Sequence, residues 1–151
     1  MKKLSLDESL SFLIYRVHIQ GVAVLRRVLH AGGLDVTPEQ LGVLARIREQ
    51  EGVNQNRLAQ KVYKDRPNMT RILTLLEKKG YIDRSPDEND NRAYSLYLSE
   101  TGRAILKKAA PIVLNYWEKR IEGLSREDIA ALRRILAHIS DNLEGILARI
   151  I

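Results

Sequence analysis

The sequence predicts a mainly α-helical fold carrying one small β-hairpin, and three patterns predict it. Met69, Ile72, Leu73 and Leu76 form a one-sided apolar stripe on the 3.6-residue period of a helix. Tyr94-Ser95-Leu96-Tyr97-Leu98 alternates instead, which puts Tyr94, Leu96 and Leu98 on one face of a strand. Ile129, Leu132, Leu136, Ile139, Leu143, Ile146 and Ile150 alternate spacings of three and four residues, a heptad repeat over a third long helix.

Taken in order, Ser5 and Glu8 have capping-box spacing. Leu10, Leu13, Ile14, Val17, Val24, Leu25 and Val28 then continue an apolar stripe to about Leu29, where Gly32-Gly33 ends the first helix. Thr37-Pro38-Glu39-Gln40 is a second capping box with proline at the first helical position. It opens a helix with Leu41, Leu44, Ala45 and Ile47 inward that stops before Gly52. Asn54 caps a short third helix with Leu58, Ala59 and Val62 inward, and Tyr63-Lys64-Asp65 breaks it. Asp65 caps the fourth, Pro67 sits in its first turn, and Gly80 after Lys78-Lys79 ends it, giving boundaries near 66 and 79.

An extended run from Tyr81 to Ser85 pairs with the 94–98 strand, and the polar stretch Pro86 to Arg92 between them projects as a turn. Ser99 caps a helix through Ile105, Leu106, Ile112, Val113 and Trp117 that Pro111 should bend or divide. Ser125 and Asp128 open the heptad helix. Two short helices separated by a tight break, followed by a hairpin, form a winged helix-turn-helix. The expected organisation is a helical dimerisation segment at 1–36, the winged lobe at 37–98 and dimerisation helices at 99–151. The basic lobe is too small to cover three long apolar helices. A symmetric homodimer built on Leu10, Leu13, Val17 and the heptad residues Ile129, Leu132, Leu136, Ile139, Leu143, Ile146 and Ile150 covers them and duplicates the reading head; mutual burial within a monomer is the alternative.

At 151 residues and 44% apolar side chains the chain suits one domain, or a small domain in a larger helical framework. No apolar run approaches a membrane span and no charged-then-apolar leader is present, so a soluble cytoplasmic protein without membrane contact is expected. The absence of cysteine excludes disulfides, thiolate metal sites and thiol nucleophiles. His18, His30 and His138 are not clustered, and neither HExxH nor a glycine-rich phosphate loop occurs. No enzyme, metal site or cofactor is therefore expected.

The net charge of +6 is not spread evenly. Residues 54–82 hold 7 basic and 2 acidic side chains, residues 1–53 hold 7 and 6, and residues 83–151 hold 11 and 11. Nearly all the excess therefore lies on the helix-turn-helix, the electrostatic footprint of nucleic acid, although a solvated lysine-rich face has the same composition. Opposite the Met69 stripe lie Pro67, Arg71, Thr74 and Lys78, flanked by Asn68 and Thr70. Arg66, Asn68, Thr70 and Arg71 sit early on this face, where a helix in the major groove meets base edges. Arg71 is the foremost candidate, with a phosphate clamp as its other reading, and Thr70 alternatively supports the helix surface. Asn54, Arg57, Lys61, Lys64 and the first amides of this helix suit phosphate contacts that position the protein. In the turn, Arg92 suits a narrow, electronegative minor groove with Asp90 bracing it, or the two form a surface pair that stabilises the turn.

These residues resemble the MarR-type winged-helix transcription regulators over essentially the whole chain. The resemblance rests on Leu58-Ala59, on Thr70-Arg71 followed by Leu76-Glu77-Lys78-Lys79-Gly80-Tyr81-Ile82, and above all on Asp90-Asn91-Arg92 leading to Leu96-Tyr97-Leu98-Ser99 and Gly102. Leu75 departs from the pattern, since many relatives carry a basic residue there. The resemblance implies a double-stranded DNA-binding regulator of transcription, a repressor released by a small molecule. It further implies an obligate homodimer with interlocked terminal helices, recognition helices in successive major grooves of a pseudo-palindromic operator, and wings in the flanking minor grooves. It also implies a cleft for a small aromatic or phenolic acid, to which Tyr15, His18, Arg46 and Trp117 would contribute. A winged protein-interaction module that reads no DNA is the competing expectation, favoured by Leu75 and by Asp87-Glu88 beside the wing tip.

Overall fold

A computed structural model of the chain describes residues 9–62, 65–86 and 94–150. Its elements are α1 (Leu10–Ala31), α2 (Pro38–Glu49), β1 (Val53–Asn54), α3 (Gln55–Lys61), α4 (Arg66–Lys78), β2 (Ile82–Pro86), β3 (Tyr94–Leu98), α5 (Glu100–Arg120) and α6 (Arg126–Ile150). They fall into two compact units, residues 1–116 and 117–151.

Local chemistry accounts for the helix boundaries. At α2 the Thr37 hydroxyl accepts from the Gln40 amide at 3.2 Å while Gln40 Oε1 accepts from the Thr37 amide at 3.1 Å, so both donors of the capping box are satisfied. Gln40 is nonetheless buried, which its reciprocal bonding permits. At α4 the Asp65 carboxylate accepts from the Asn68 amide at 2.8 Å. At the other end Lys79 is the C-cap, and Gly80 takes φ +67, a left-handed conformation that costs glycine no Cβ clash. The Gly80 amide then donates to Glu77 O and the Tyr81 amide to Leu76 O, the Schellman pattern, which turns the chain directly into β2.

The sheet is antiparallel in the order β1-β3-β2, with Ile82 opposite Leu98, Arg84 opposite Leu96 and Pro86 opposite Tyr94. This register sends Leu96 and Leu98 into the core, while Tyr94, on the same face by alternation, is 47% exposed at the distal end of the strand. The hairpin is joined by β1, which the sequence reading does not contain. Two residues are too few to show alternation, and Val53 pairs with Leu96 only because the fold brings the α2–α3 connection alongside β3.

One core unites these pieces. Leu44 and Ile47 of α2, Leu58 of α3, Met69, Leu73 and Leu76 of α4, Leu96 of β3 and Leu29 of α1 are fully enclosed. The start of α5 closes it. Ser99 Oγ donates to Gly80 O and accepts from the Gly102 amide at 3.0 Å, so one hydroxyl caps α5 and ties it to the turn after α4. Gly102 lies so close to that turn that a Cβ there would run into Tyr81 O. Pro111 does not divide α5, which runs unbroken from Glu100 to Arg120, with Leu106 and Ala109 buried on the turns just before the proline.

The second unit is simpler. Ser125 and Asp128 form the expected box at the start of α6: the Asp128 carboxylate accepts from the Ser125 amide at 3.1 Å and from its hydroxyl at 2.7 Å, and the Asp128 amide donates back at 3.0 Å. These bonds hold the Asp128 carboxyl below its usual range. No residue of α6 is buried. No helix among the described residues is long and apolar enough to cross a membrane.

Candidate nucleic-acid interface

The helix-turn-helix consists of α3 and α4, which pack on each other and contribute Leu58, Ala59 and Met69 to the common core. With Met69, Ile72, Leu73 and Leu76 committed to the core, Arg66, Pro67, Thr70, Arg71, Thr74, Leu75 and Lys78 are left exposed, and Asn68 is half-buried. The free face of α4 is therefore the one its periodicity assigns, with Leu75 38% exposed on its shoulder.

Several of these side chains are held in place. The Arg71 guanidinium donates to Asn68 Oδ1 at 3.1 Å, one turn earlier, so two polar groups of the face are oriented together. Thr70 Oγ1 donates to Arg66 O at 2.9 Å and accepts from Gln55 Nε2 at 3.3 Å, a bond that crosses from α3 to α4. Asn54 caps α3 by accepting from the Asn56 amide at 2.8 Å. Arg57 and Lys61 are exposed on α3, and Lys61 Nζ donates to Gln50 Oε1 at 2.7 Å. Of the remaining candidates, Lys64, Asp90 and Arg92 lie outside the described residues, as do Ser5 and Glu8.

Ion pairs redistribute the charge without reducing it. Lys79 Nζ bonds Asp35 Oδ1 at 2.8 Å and Asp35 O at 2.9 Å, which removes it from the exposed face and fastens α4 to the α1–α2 connection. Glu77 is matched by Arg84 of β2, whose Nε lies 3.1 Å away but off the line of a hydrogen bond, and whose other end reaches Thr74 Oγ1 at 3.5 Å. Setting aside these two matched residues of the 54–82 segment leaves Arg57, Lys61, Lys64, Arg66, Arg71 and Lys78 against Asp65, still +5.

Two further residues prop the lobe. Glu51 accepts from the Leu98 amide at 3.0 Å and pairs with Arg103 at 2.6 Å, joining the α2–β1 turn to β3 and α5. Neither this pair, the Arg84–Glu77 pair nor the Gln55–Thr70 bond has a signal in the sequence, because each joins segments whose proximity only the fold creates.

The residues suggested for a small-molecule cleft lie on three helices, α1, α2 and α5. Tyr15 and His18 are exposed one turn apart on α1, Tyr15 stacking obliquely beside Phe12 with ring centroids 6.4 Å apart. Arg46 on α2 is paired with Glu49 at 2.8 Å. Trp117, half exposed, belongs to the C-terminal unit. On α1, Leu10 and Val17 are more than half exposed and Leu13 is half-buried. On α6, Ile129 and Ile139 are half-buried, whereas Leu132, Leu136, Leu143, Ile146 and Ile150 are open.

Comparison with known proteins gives the geometry a context. The MarR family model matches residues 36–94, the lobe from the start of α2 to β3. The HTH-type transcriptional regulator YybA of Bacillus subtilis, itself uncharacterized, is 30% identical over 115 residues, covering 74% of each chain. A mutant MarR from E. coli complexed with operator DNA superimposes with a TM-score of 0.81 at 27% identity, over 86% of this chain and 92% of that one. The transcriptional repressor CouR bound to a 23-mer DNA duplex gives 0.80 at 30% identity, over 93% and 98%.

Proposed function

The chain belongs to the MarR family of transcriptional regulators, and from that premise we propose that it binds a pseudo-palindromic operator in double-stranded DNA as a homodimer and represses transcription until a small effector releases it. The observation that carries this reading is the face of α4: polar, exposed, partly pre-oriented by the Asn68–Arg71 bond and set in the 54–82 segment whose +5 excess ion pairing leaves intact. A helix of this kind enters the major groove with its first turns at the base edges, where Arg66, Asn68, Thr70 and Arg71 stand, while Asn54, Arg57, Lys61 and Lys64 approach phosphates. Arg92 takes the flanking minor groove, where a single placed arginine suffices, and Asp90 serves to brace the hairpin.

The dimer is formed by the 1–36 and 99–151 segments around the 37–98 lobe. A MarR regulator complexed with operator DNA and a repressor bound to a duplex are among the chains this one resembles, which supports the same target here. The protein then acts in the cytoplasm, where its operator is. For the effector, the chemistry of Tyr15, His18, Arg46 and Trp117 favours a small aromatic or phenolic acid. Such a ligand changes DNA affinity only by binding the two dimer states unequally.

Titration against duplex DNA at several salt concentrations tests the function. A steep negative dependence of affinity on salt is expected, and removing Lys61 or Lys64 should lower the slope by about one unit each. A flat salt dependence would overturn the reading in favour of a protein-interaction module, the role that the exposed Leu75 on the shoulder of α4 favours. Because Trp117 is the single tryptophan, its fluorescence during titration with simple aromatic acids reports the effector directly.

A further inference from the structure

We infer that Thr70 reads the operator as a hydrogen-bond acceptor and never as a donor, and that Gln55, on the preceding helix, is the positioning residue that holds it in that state. This rests on the proposed entry of α4 into the major groove. A threonine hydroxyl has one hydrogen and two lone pairs, so in general it serves either sense. Here Oγ1 lies 2.9 Å from Arg66 O, a group that can only accept, and the single hydrogen is committed to it. Its second neighbour, the Gln55 side-chain amide at 3.3 Å, must then be a donor, which fixes the amide with Nε2 toward Thr70 and occupies one lone pair.

What Thr70 has left for a ligand is one lone pair and its methyl group. A base edge that bonds this lone pair must bring a donor, and in the major groove only the N6 amino group of adenine and the N4 amino group of cytosine do so. The back-bond to Arg66 O alone is compatible with two side-chain rotamers of a threonine in a helix. The bridge from α3 selects one of them and therefore aims the free lone pair. Gln55 thus affects which base is preferred through Thr70, whether or not it touches DNA.

Selection of bound duplexes from a random library, with the wild type and with Thr70→Val, Thr70→Ser and Gln55→Met, tests this. Thr70→Val should relax the preference at one position per half-site. Replacing the adenine or cytosine there by an analogue without its exocyclic amino group should weaken wild-type and Thr70→Ser binding about threefold to tenfold, the range of one neutral hydrogen bond, and leave Thr70→Val unaffected. Gln55→Met, which keeps the side-chain length but cannot donate, should blunt the preference at that same position and no other. Far-UV circular dichroism confirms that each variant is folded. An unchanged selected sequence for Thr70→Val, or full wild-type affinity for the amino-deleted duplex, overturns the acceptor assignment while leaving DNA binding intact. An unaltered preference in Gln55→Met overturns the positioning role. Loss of all salt-dependent duplex binding in the wild type would instead overturn the function itself.

Discussion

The winged lobe and helix α6 are built from the same kind of amphipathic pattern but dispose of it differently. In the lobe the stripe of α4 is completely enclosed: Met69, Leu73 and Leu76 have no exposed surface and Ile72 almost none. In α6 the stripe is as regular, yet no residue is buried, and Leu132, Leu136, Leu143, Ile146 and Ile150 are 41–76% exposed. The difference teaches that amphipathicity states a demand for a partner and not where the partner is. For α4 the partner is supplied within the chain by α3, β2 and the core they share. For α6 we propose that a second copy of the chain supplies it, which is why one pattern stabilises the lobe and the other assembles it.

The sharpest way to break this comparison is inside the lobe. Leu73→Ala removes a fully enclosed side chain and leaves a cavity, so chemical denaturation should show a loss of about 2–5 kcal/mol. The counterpart on α6 is Leu136→Glu. It should raise the concentration at which the proposed dimer dissociates by tenfold or more, about 1.4 kcal/mol, seen by sedimentation as a shift toward the 17.3 kDa monomer. An unchanged mass would return α6 to being an ordinary solvated face. A smaller effect belongs to the cap of α2: Thr37→Ala leaves the Gln40 amide without its acceptor and should cost about 0.5–2 kcal/mol in denaturant unfolding.

The smallest effect sharpens the contrast through pH. The bonds from Ser125 lower the Asp128 carboxyl pKa, so the ionised form is the one the folded helix prefers. Its contribution is complete above the ordinary carboxylate range and is lost as pH falls through the lowered value. Because Asp128 is fully exposed, the expected readout is a slight acid-side loss of α6 helicity by circular dichroism that Asp128→Asn abolishes.

Much of the architecture was legible because it is local. Thr37 with Gln40, Asn54, Asp65, Gly80 and Ser125 with Asp128 bound their helices through contacts within a few residues, and those contacts are present in the structure. The free face of α4 was legible for the same reason, since periodicity alone separates Arg71 from Met69. Missed were contacts across long sequence separations, such as Lys79 with Asp35 and Glu51 with Arg103, where a charge on one segment carries no mark of its partner on another. Of the two effects expected of Pro111, division of the helix does not occur: burial of Leu106 and Ala109 on the preceding turns accompanies a helix that propensity alone would interrupt.

By itself, then, the sequence determined which segments are helices, where they are capped, which face of each is apolar and where the positive charge is concentrated, because all of these follow from bonds and periodicities a few residues long. Only the tertiary structure decided that β1 completes the sheet, that Lys79 is withdrawn from the reading face while Arg84 neutralises Glu77, and that Gln55 reaches Thr70. These depend on which segments meet, and that is set by the joint burial of α2, α3, α4, β3 and α5 around one core, a condition no single stretch of the chain contains.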